Sequence, residues 1–519
     1  MDNYKKTAKT ILMVIILSFS AKFMGFLRDA LIGSQFGANK ESDAYLIALN
    51  CTSIVFVSIG SALITGVIPI VIGEMKKGKK HAFYFINNLL NILILISALL
   101  SSLGIIFSRE IMTVVATGFD EEKLNLSIQL VRIMYPVLIC ISITYMFVAM
   151  LQSLERFKVT SLISFPANII SIFYLMFLSK TYGVKGLAII TLIGWVFQFL
   201  VQVPFLLKEG YTYRFKIDFK DENIKRVFKV LVPMIIVASS IQMNILIDEK
   251  YASLLKDGTV SYIHYGNTLY QAIATTTILG ISMVVFPKFA QMSIELKDRE
   301  YSEFVSKVLG VIVFVLIPVS LGIIVLRNEI IGIVYERGAF GKEDTLIAGM
   351  VFASYSLGTL FLGIQDLVNK AFYAKNNVFS PMKVSLVVIL LNIILNVTSV
   401  ESHGVVGLAI STSISMIIGT LLLIYEFMKK INYLNIKGIM VTLFKSLLAA
   451  GIMFMVVTVV KNGLYLYVHK NSLLYKFLVV GIITIAGTIT YAVASIKLNI
   501  KEAIYIYNDF LKGRFKKLT

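Results

Sequence analysis

Fourteen long apolar segments constrain this chain more than any other feature, at roughly 11–27, 44–72, 84–107, 126–150, 159–179, 186–207, 230–248, 262–287, 308–326, 346–369, 384–400, 404–425, 438–460 and 477–496. A helix needs about 20 such residues to cross a hydrocarbon layer about 30 Å thick. Within that layer each backbone N–H and C=O must be paired inside the protein. The expected fold is therefore an all-α integral membrane protein with about 14 transmembrane helices. Of 519 residues, 57% are hydrophobic and 15% charged, and a mean hydropathy of +0.82 excludes a water-soluble globule. The first segment follows a basic start, as a secretion signal would. No Ala-x-Ala cleavage site precedes Lys22 and Arg28, so it reads as a retained first helix. Cys51 and Cys140 sit in apolar runs without metal-ligand spacing and read as buried free thiols.

The net charge of +19 would suit nucleic acid if it were concentrated on one stretch. It is spread by topology instead. With the N-terminus inside, the two tails and even-numbered loops carry more than twice the Lys and Arg of the odd-numbered loops. That is the positive-inside pattern, which predicts cytoplasmic termini, attraction to anionic membrane lipids, and no nucleic-acid partner. The external loops reach only about twenty residues, as in Ser108 to Asn125, too few for an extracytoplasmic catalytic domain.

The stretch Thr181 to Lys208 matches Ser402 to Lys429 through a shared GVxGLAI at an offset of 221 residues. Six helices per repeat is an even number, so both copies enter the bilayer in the same sense, as in transporters whose site lies between two parallel lobes. The expected organisation is an N-terminal lobe over 1–208, a cytoplasmic linker over 209–229, a C-terminal lobe over 230–430, two added helices over 431–496, and a basic cytoplasmic tail over 497–519.

Charge inside the apolar runs marks the candidate site. Taking the first run from Ile11, a rise of about 1.5 Å per residue places Lys22 roughly 16 Å deep, near mid-membrane. Arg28 lies about two turns further on, followed by Asp29, with Asp43 at the start of the next run. A cation at that depth costs about 2.5–3.5 kcal/mol on insertion scales and is expected to face a partner or an aqueous cavity. Asp248, Asn392, Asn396 and Thr412 form a second polar set. The two asparagines are spaced i, i+4 and share one helix face, where they either bind a monovalent cation or bridge helices by hydrogen bonds. Asp366 pairs with Lys370 at i+4.

Several motifs occur in order: KFMGFLRDALIGSQFGANKESDAY (22–45), YGNTLYQAIATTTILGISMVVFPKFA (265–290), YERGAFGKEDT (335–345), AFYAKNNVFSPMKV (371–384), NIILN (392–396) and GVVGLAISTS (404–413). In them the chain resembles the MurJ (MviN) lipid II flippases of the multidrug/oligosaccharidyl-lipid/polysaccharide exporter superfamily. The resemblance implies a two-lobed, twelve-helix transporter with a cationic cavity, and two added helices grooved for a polyprenyl tail. It implies Lys22 and Arg28 as the cavity cations, with Asp29 and Asp43 as their companions. It also implies a sodium site from Asp248, Asn392, Asn396, Thr412 and the Leu408 carbonyl, with Na+ as coupling ion and no other cofactor. Two further family arginines are absent, at Phe56 and Thr268.

The expected activity is movement of an undecaprenyl-pyrophosphate-linked glycan, lipid II, across a bacterial cell membrane by alternating access, in contact with cell-wall synthesis machinery. No covalent bond is made or broken, so the chain is not expected to be an enzyme. Arg offers phosphate a bidentate fork and Lys a compact charge, which fits a pyrophosphate. The alternatives are a flippase for another undecaprenyl-linked unit of capsule or exopolysaccharide, which the absent arginines leave open, and a cation-coupled drug exporter, whose cationic substrates Lys22 and Arg28 would repel.

Overall fold

The computed structural model describes residues 2–295, 298–375, 377–431, 433–467 and 473–505, and among these every regular element is a helix. The chain divides into two compact units, Met1–Ser261 with Arg337–Gly341, and Tyr262–Glu336 with Lys342–Thr519.

The first unit holds α1 (Asp2–Phe36), α2 (Lys40–Leu49), a π-helical turn (Asn50–Ile54), α3 (Val55–Lys76), α4 (Lys79–Ile106), α5 (Ser108–Val115), α6 (Glu121–Met134), α7 (Val137–Ser153), α8 (Phe157–Ser161), α9 (Ser164–Phe177), α10 (Ser179–Leu200), α11 (Val203–Lys208) and α12 (Glu222–Ala252). Short polar residues cap α2, α6 and α12. Asn39 accepts from the Glu41 and Ser42 N–H groups while Ser42 returns a bond to the Asn39 N–H, a reciprocal cap for α2. Asp120 accepts from the Lys123 N–H at 2.8 Å to begin α6. The core packs Val67 and Val71 of α3, Ile86 and Leu89 of α4, and Met146 and Met150 of α7. Tyr211, from the segment after α11, enters the same core with its ring edge-on to Phe83 at 5.6 Å.

That segment is expected to be a mixed-charge linker, and it is bound along its length. Asn87, Asn88 and Asn91 of α4 donate to the carbonyls of Thr212, Asp218 and Arg214 at 3.0, 3.0 and 3.1 Å. Their oxygens accept from Tyr211 Oη, the Asp218 N–H and Tyr213 Oη. Three amides within the apolar run of α4 thus satisfy an extended backbone that has no strand partner.

The second unit holds α13 (Thr259–Glu295, its first turn in the first unit), α14 (Asp298–Val334), α15 (Lys342–Ser356), α16 (Thr359–Ala374), α17 (Phe379–Ile431), α18 (Ile436–Tyr467) and α19 (Leu473–Lys497). Helix α14 packs against α15, α16, α18 and α19. Tyr491 of α19 donates to the Phe314 carbonyl at 2.7 Å, and Tyr301 to the Ala371 carbonyl at 2.9 Å.

All fourteen apolar segments fall on helix, some broken by short turns. Among the described residues, eight helical stretches are long and apolar enough to span a bilayer, and α15 with α16, bent by 42°, makes a ninth. The total is consistent with fourteen. The repeat has a common backbone signature: Gly183 has φ 55°, ψ −154° within α10, and Gly404 has φ 56°, ψ −141° within α17. A side chain at either position would meet open space, so it is the dihedral and not crowding that calls for glycine. At Gly404 the 53-residue α17 is in fact two helices folded about a turn. The two compact units part after α12, whereas the repeat assigns α12 to the second half.

Candidate functional site

Helix α1 carries Lys22 and Arg28 six residues apart, about 120° around the helix, so they point to different sides. Lys22 is exposed, and among the described residues no carboxylate pairs with it. Arg28 is held: its Nε and Nη2 donate to Asp29 Oδ1 at 3.0 and 2.8 Å, and its Nη1 reaches Asn168 Oδ1 at 3.4 Å. Asn168 of α9 in turn donates to the Ala21 carbonyl at 3.4 Å, tying the guanidinium back to its own helix. Sequence alone pairs Arg28 with Asp29 but misses Asn168, one amide in an apolar segment.

Asp43 stands elsewhere. Its carboxylate accepts from Lys123 Nζ at 2.8 Å, the Gly258 N–H at 2.8 Å, the Ser261 N–H at 2.8 Å and Ser261 Oγ at 2.6 Å. Those four bonds use all its acceptor positions, so Asp43 is engaged in joining α2, α6 and the start of α13. Lys123 and Asp43 side chains are 4% and 1% exposed, while Asp257, 3.0 Å from the same ammonium, is 48% exposed. The Lys123 ammonium also lies 4.0 Å from the centre of the Phe119 ring. In the amino-acid sequence Lys123 is simply one of the two cations of the loop 108–125. The one hint of its setting is its place in the first turn of a helix capped by Asp120.

The π-helical turn places Asn50 against Glu249 of α12, with Asn50 Nδ2 donating to Glu249 Oε1. Asp248, the preceding residue, is fully buried in the same unit. The other proposed sodium ligands lie in one hairpin of the second unit. Asn392 Nδ2 donates to Thr412 Oγ1 at 2.9 Å and Asn396 Nδ2 to Asn392 Oδ1 at 3.3 Å. Leu408 is buried on the returning arm. The turn at Gly404 is what brings 392–396 beside 408–412. This hairpin offers amide, hydroxyl and carbonyl oxygens, a hard neutral donor set that suits a monovalent ion once a carboxylate completes it. Among the described residues no cluster of three or more His, Cys, Asp or Glu could hold a metal. Thr268 is half-buried on α13, and the Phe56 side chain lies outside the described residues. Asp366 accepts from Lys370 at 2.7 Å and Ser282 at 2.6 Å, a local pairing.

In the second unit a groove of about 430 Å³ runs between α14, α18 and α19, with Phe314, Pro318, Met453, Val457, Ile483 and Tyr491 among its lining.

The family model for "Lipid II flippase MurJ" matches residues 32–483. A probable lipid II flippase MurJ of Thermotoga maritima is 25% identical over 506 residues, covering 97% of this chain and 98% of that protein. A second, from Buchnera aphidicola subsp. Baizongia pistaciae, is 25% identical over 476 residues, covering 91% and 93%. A solved structure of lipid II flippase MurJ in an inward closed conformation aligns with a TM-score of 0.79 at 26% identity, covering 96% of this chain and 100% of that one. An inward-facing multidrug resistance MATE transporter of the MOP superfamily aligns at a TM-score of 0.66 and 13% identity, a likeness of fold. A match over most of the length in family model, relatives and structure leads to one conclusion: the chain is a multi-pass membrane protein of the MurJ lipid II flippase family.

Proposed function

We propose that this chain moves lipid II from the inner to the outer leaflet of the bacterial cell membrane by alternating access, with both termini cytoplasmic. The observation that carries the reading is Lys22, an exposed cation with no carboxylate partner among the described residues, set between the apolar runs 11–17 and 23–27 of α1 and one helical face away from an Arg28 already oriented by Asp29 and Asn168. A pyrophosphate bridging undecaprenol and a disaccharide needs positive charge at mid-depth, and the arrangement supplies one available charge and one pre-oriented fork. The groove beside α18 and α19 suits the polyprenyl tail, being lined by apolar side chains over several helical turns. Asp248 with the hairpin at Asn392, Asn396, Leu408 and Thr412 would hold Na+ as coupling ion, and the cell-wall synthesis machinery would be the downstream partner.

The test is depletion of a host's essential lipid II flippase with this gene as sole replacement. Growth with normal cell shape is the expected result, and lysis despite normal membrane abundance overturns the reading. A second reading, flipping of a different undecaprenyl-linked polysaccharide unit, is favoured by Thr268 standing where the family resemblance implies an arginine. It predicts rescue of a capsule or exopolysaccharide flippase mutant instead.

A further inference from the structure

Far from α1 in sequence, the first unit has a basic cavity of about 990 Å³ between the start of α4 and the segment after α11. Lys79, Lys80, His81, Arg214 and Lys216 line it against a single acid, Glu209. That acid is already taken: Arg156 Nε donates to it at 2.7 Å and Lys79 at 3.2 Å, and these two bonds hold its carboxyl below the usual range. Lys80 and Arg214 have no ion pair among the described residues, and Lys216 lies 3.9 Å above the Tyr84 ring and 3.9 Å from the Asp218 carboxylate, a loose pair that leaves its ammonium able to reach a phosphate. The wall made by Arg214 and Lys216 does not swing freely, because Asn91 holds the carbonyls of both residues at 3.1 Å.

The position of the cavity selects its ligand. Its residues sit at the ends of the apolar segments 84–107 and 186–207, on the side richest in Lys and Arg, which is the depth of lipid headgroups. Among the lining residues stand two exposed rings, Phe215 at 77% and Tyr84 at 46%. Cations beside interfacial aromatics are the chemistry of a phosphate with acyl chains attached. We propose that this cavity binds the phosphate of an anionic phospholipid headgroup, with Lys80, Arg214 and Lys216 around the phosphate and Phe215 and Tyr84 against the upper acyl chain. The inference is independent of which glycan the protein transports.

The test measures thermal unfolding of the purified full-length protein in detergent with added short-chain phosphatidylglycerol, phosphatidylcholine or inorganic phosphate. Phosphatidylglycerol is expected to raise the midpoint saturably, with an apparent affinity that falls as salt is added. The variant Lys80→Gln/Arg214→Gln/Lys216→Gln is expected to keep the lipid-free midpoint and bind phosphatidylglycerol about tenfold more weakly or worse. Lys80→Gln alone, on an exposed side chain, serves if the triple variant fails to fold, with an expected loss of about threefold. Equal stabilisation by phosphatidylcholine, or an unchanged response in the variants, overturns the site. Inorganic phosphate acting at the same concentration as the lipid overturns the headgroup assignment.

Discussion

At the residue scale two cations carry opposite expectations. Lys22 has no carboxylate partner among the described residues, so removing it relieves an insertion cost of about 2.5–3.5 kcal/mol while taking away the charge that substrate needs. Lys22→Ala is expected to be abundant in membranes but unable to support growth, and Lys22→Arg to support it, because positive charge matters there more than shape. An abundant and fully active Lys22→Ala would show that the lysine only snorkels. Lys123 is the reverse case. Losing it leaves Asp43 buried with hydrogen bonds but no counter-charge, a change that costs about 3–5 kcal/mol when one partner of a buried pair is removed. Lys123→Met is expected to lower abundance and melting temperature, and Lys123→Met/Asp43→Asn to recover part of both. Equal melting of single variant and wild type would exclude a structural role for the pair. Of these residues, Arg28 with Asp29 is legible in the sequence because they are adjacent. Asp43 with Lys123 is not, since 80 residues separate them and nothing local marks a lysine as buried.

At the scale of elements the glycine of GVxGLAI is the clearest case of sequence pattern becoming backbone geometry. Gly183 and Gly404 share one positive-φ conformation, 221 residues apart. Gly404→Ala is expected to cost about 1–3 kcal/mol from the dihedral alone, since the space around it is open. Gly451→Ala on α18, where a Cβ also meets nothing and φ is helical, is expected to gain about 0.5–1 kcal/mol. Opposite signs in a detergent unfolding series check the argument, and equal signs would refute it. The repeat is legible in the amino-acid sequence because each copy is a short continuous stretch. The amide ladder of Asn87, Asn88 and Asn91 is not, because an amide on an apolar helix announces a partner without naming it.

At the scale of the whole molecule the fourteen apolar segments already specify an all-helical membrane protein, as hydrocarbon leaves the backbone few alternatives. The proposed sodium ligands are split between Asp248 in one unit and the Gly404 hairpin in the other. Asp248→Asn is therefore expected to abolish any sodium-dependent rise in melting temperature while leaving the hairpin's own hydrogen bonds in place. An undiminished sodium shift would remove Asp248 from the ligand set. The amide-bound segment after α11 has a separate consequence for anyone inserting a tag or reporter. Between Tyr211 and Asp218 every added residue slides carbonyls out of step with three fixed amides, so the stretch behaves as a ruler. One residue of insertion there should harm the protein more than a whole reporter domain placed at Lys220, where the backbone is exposed and α12 has yet to begin.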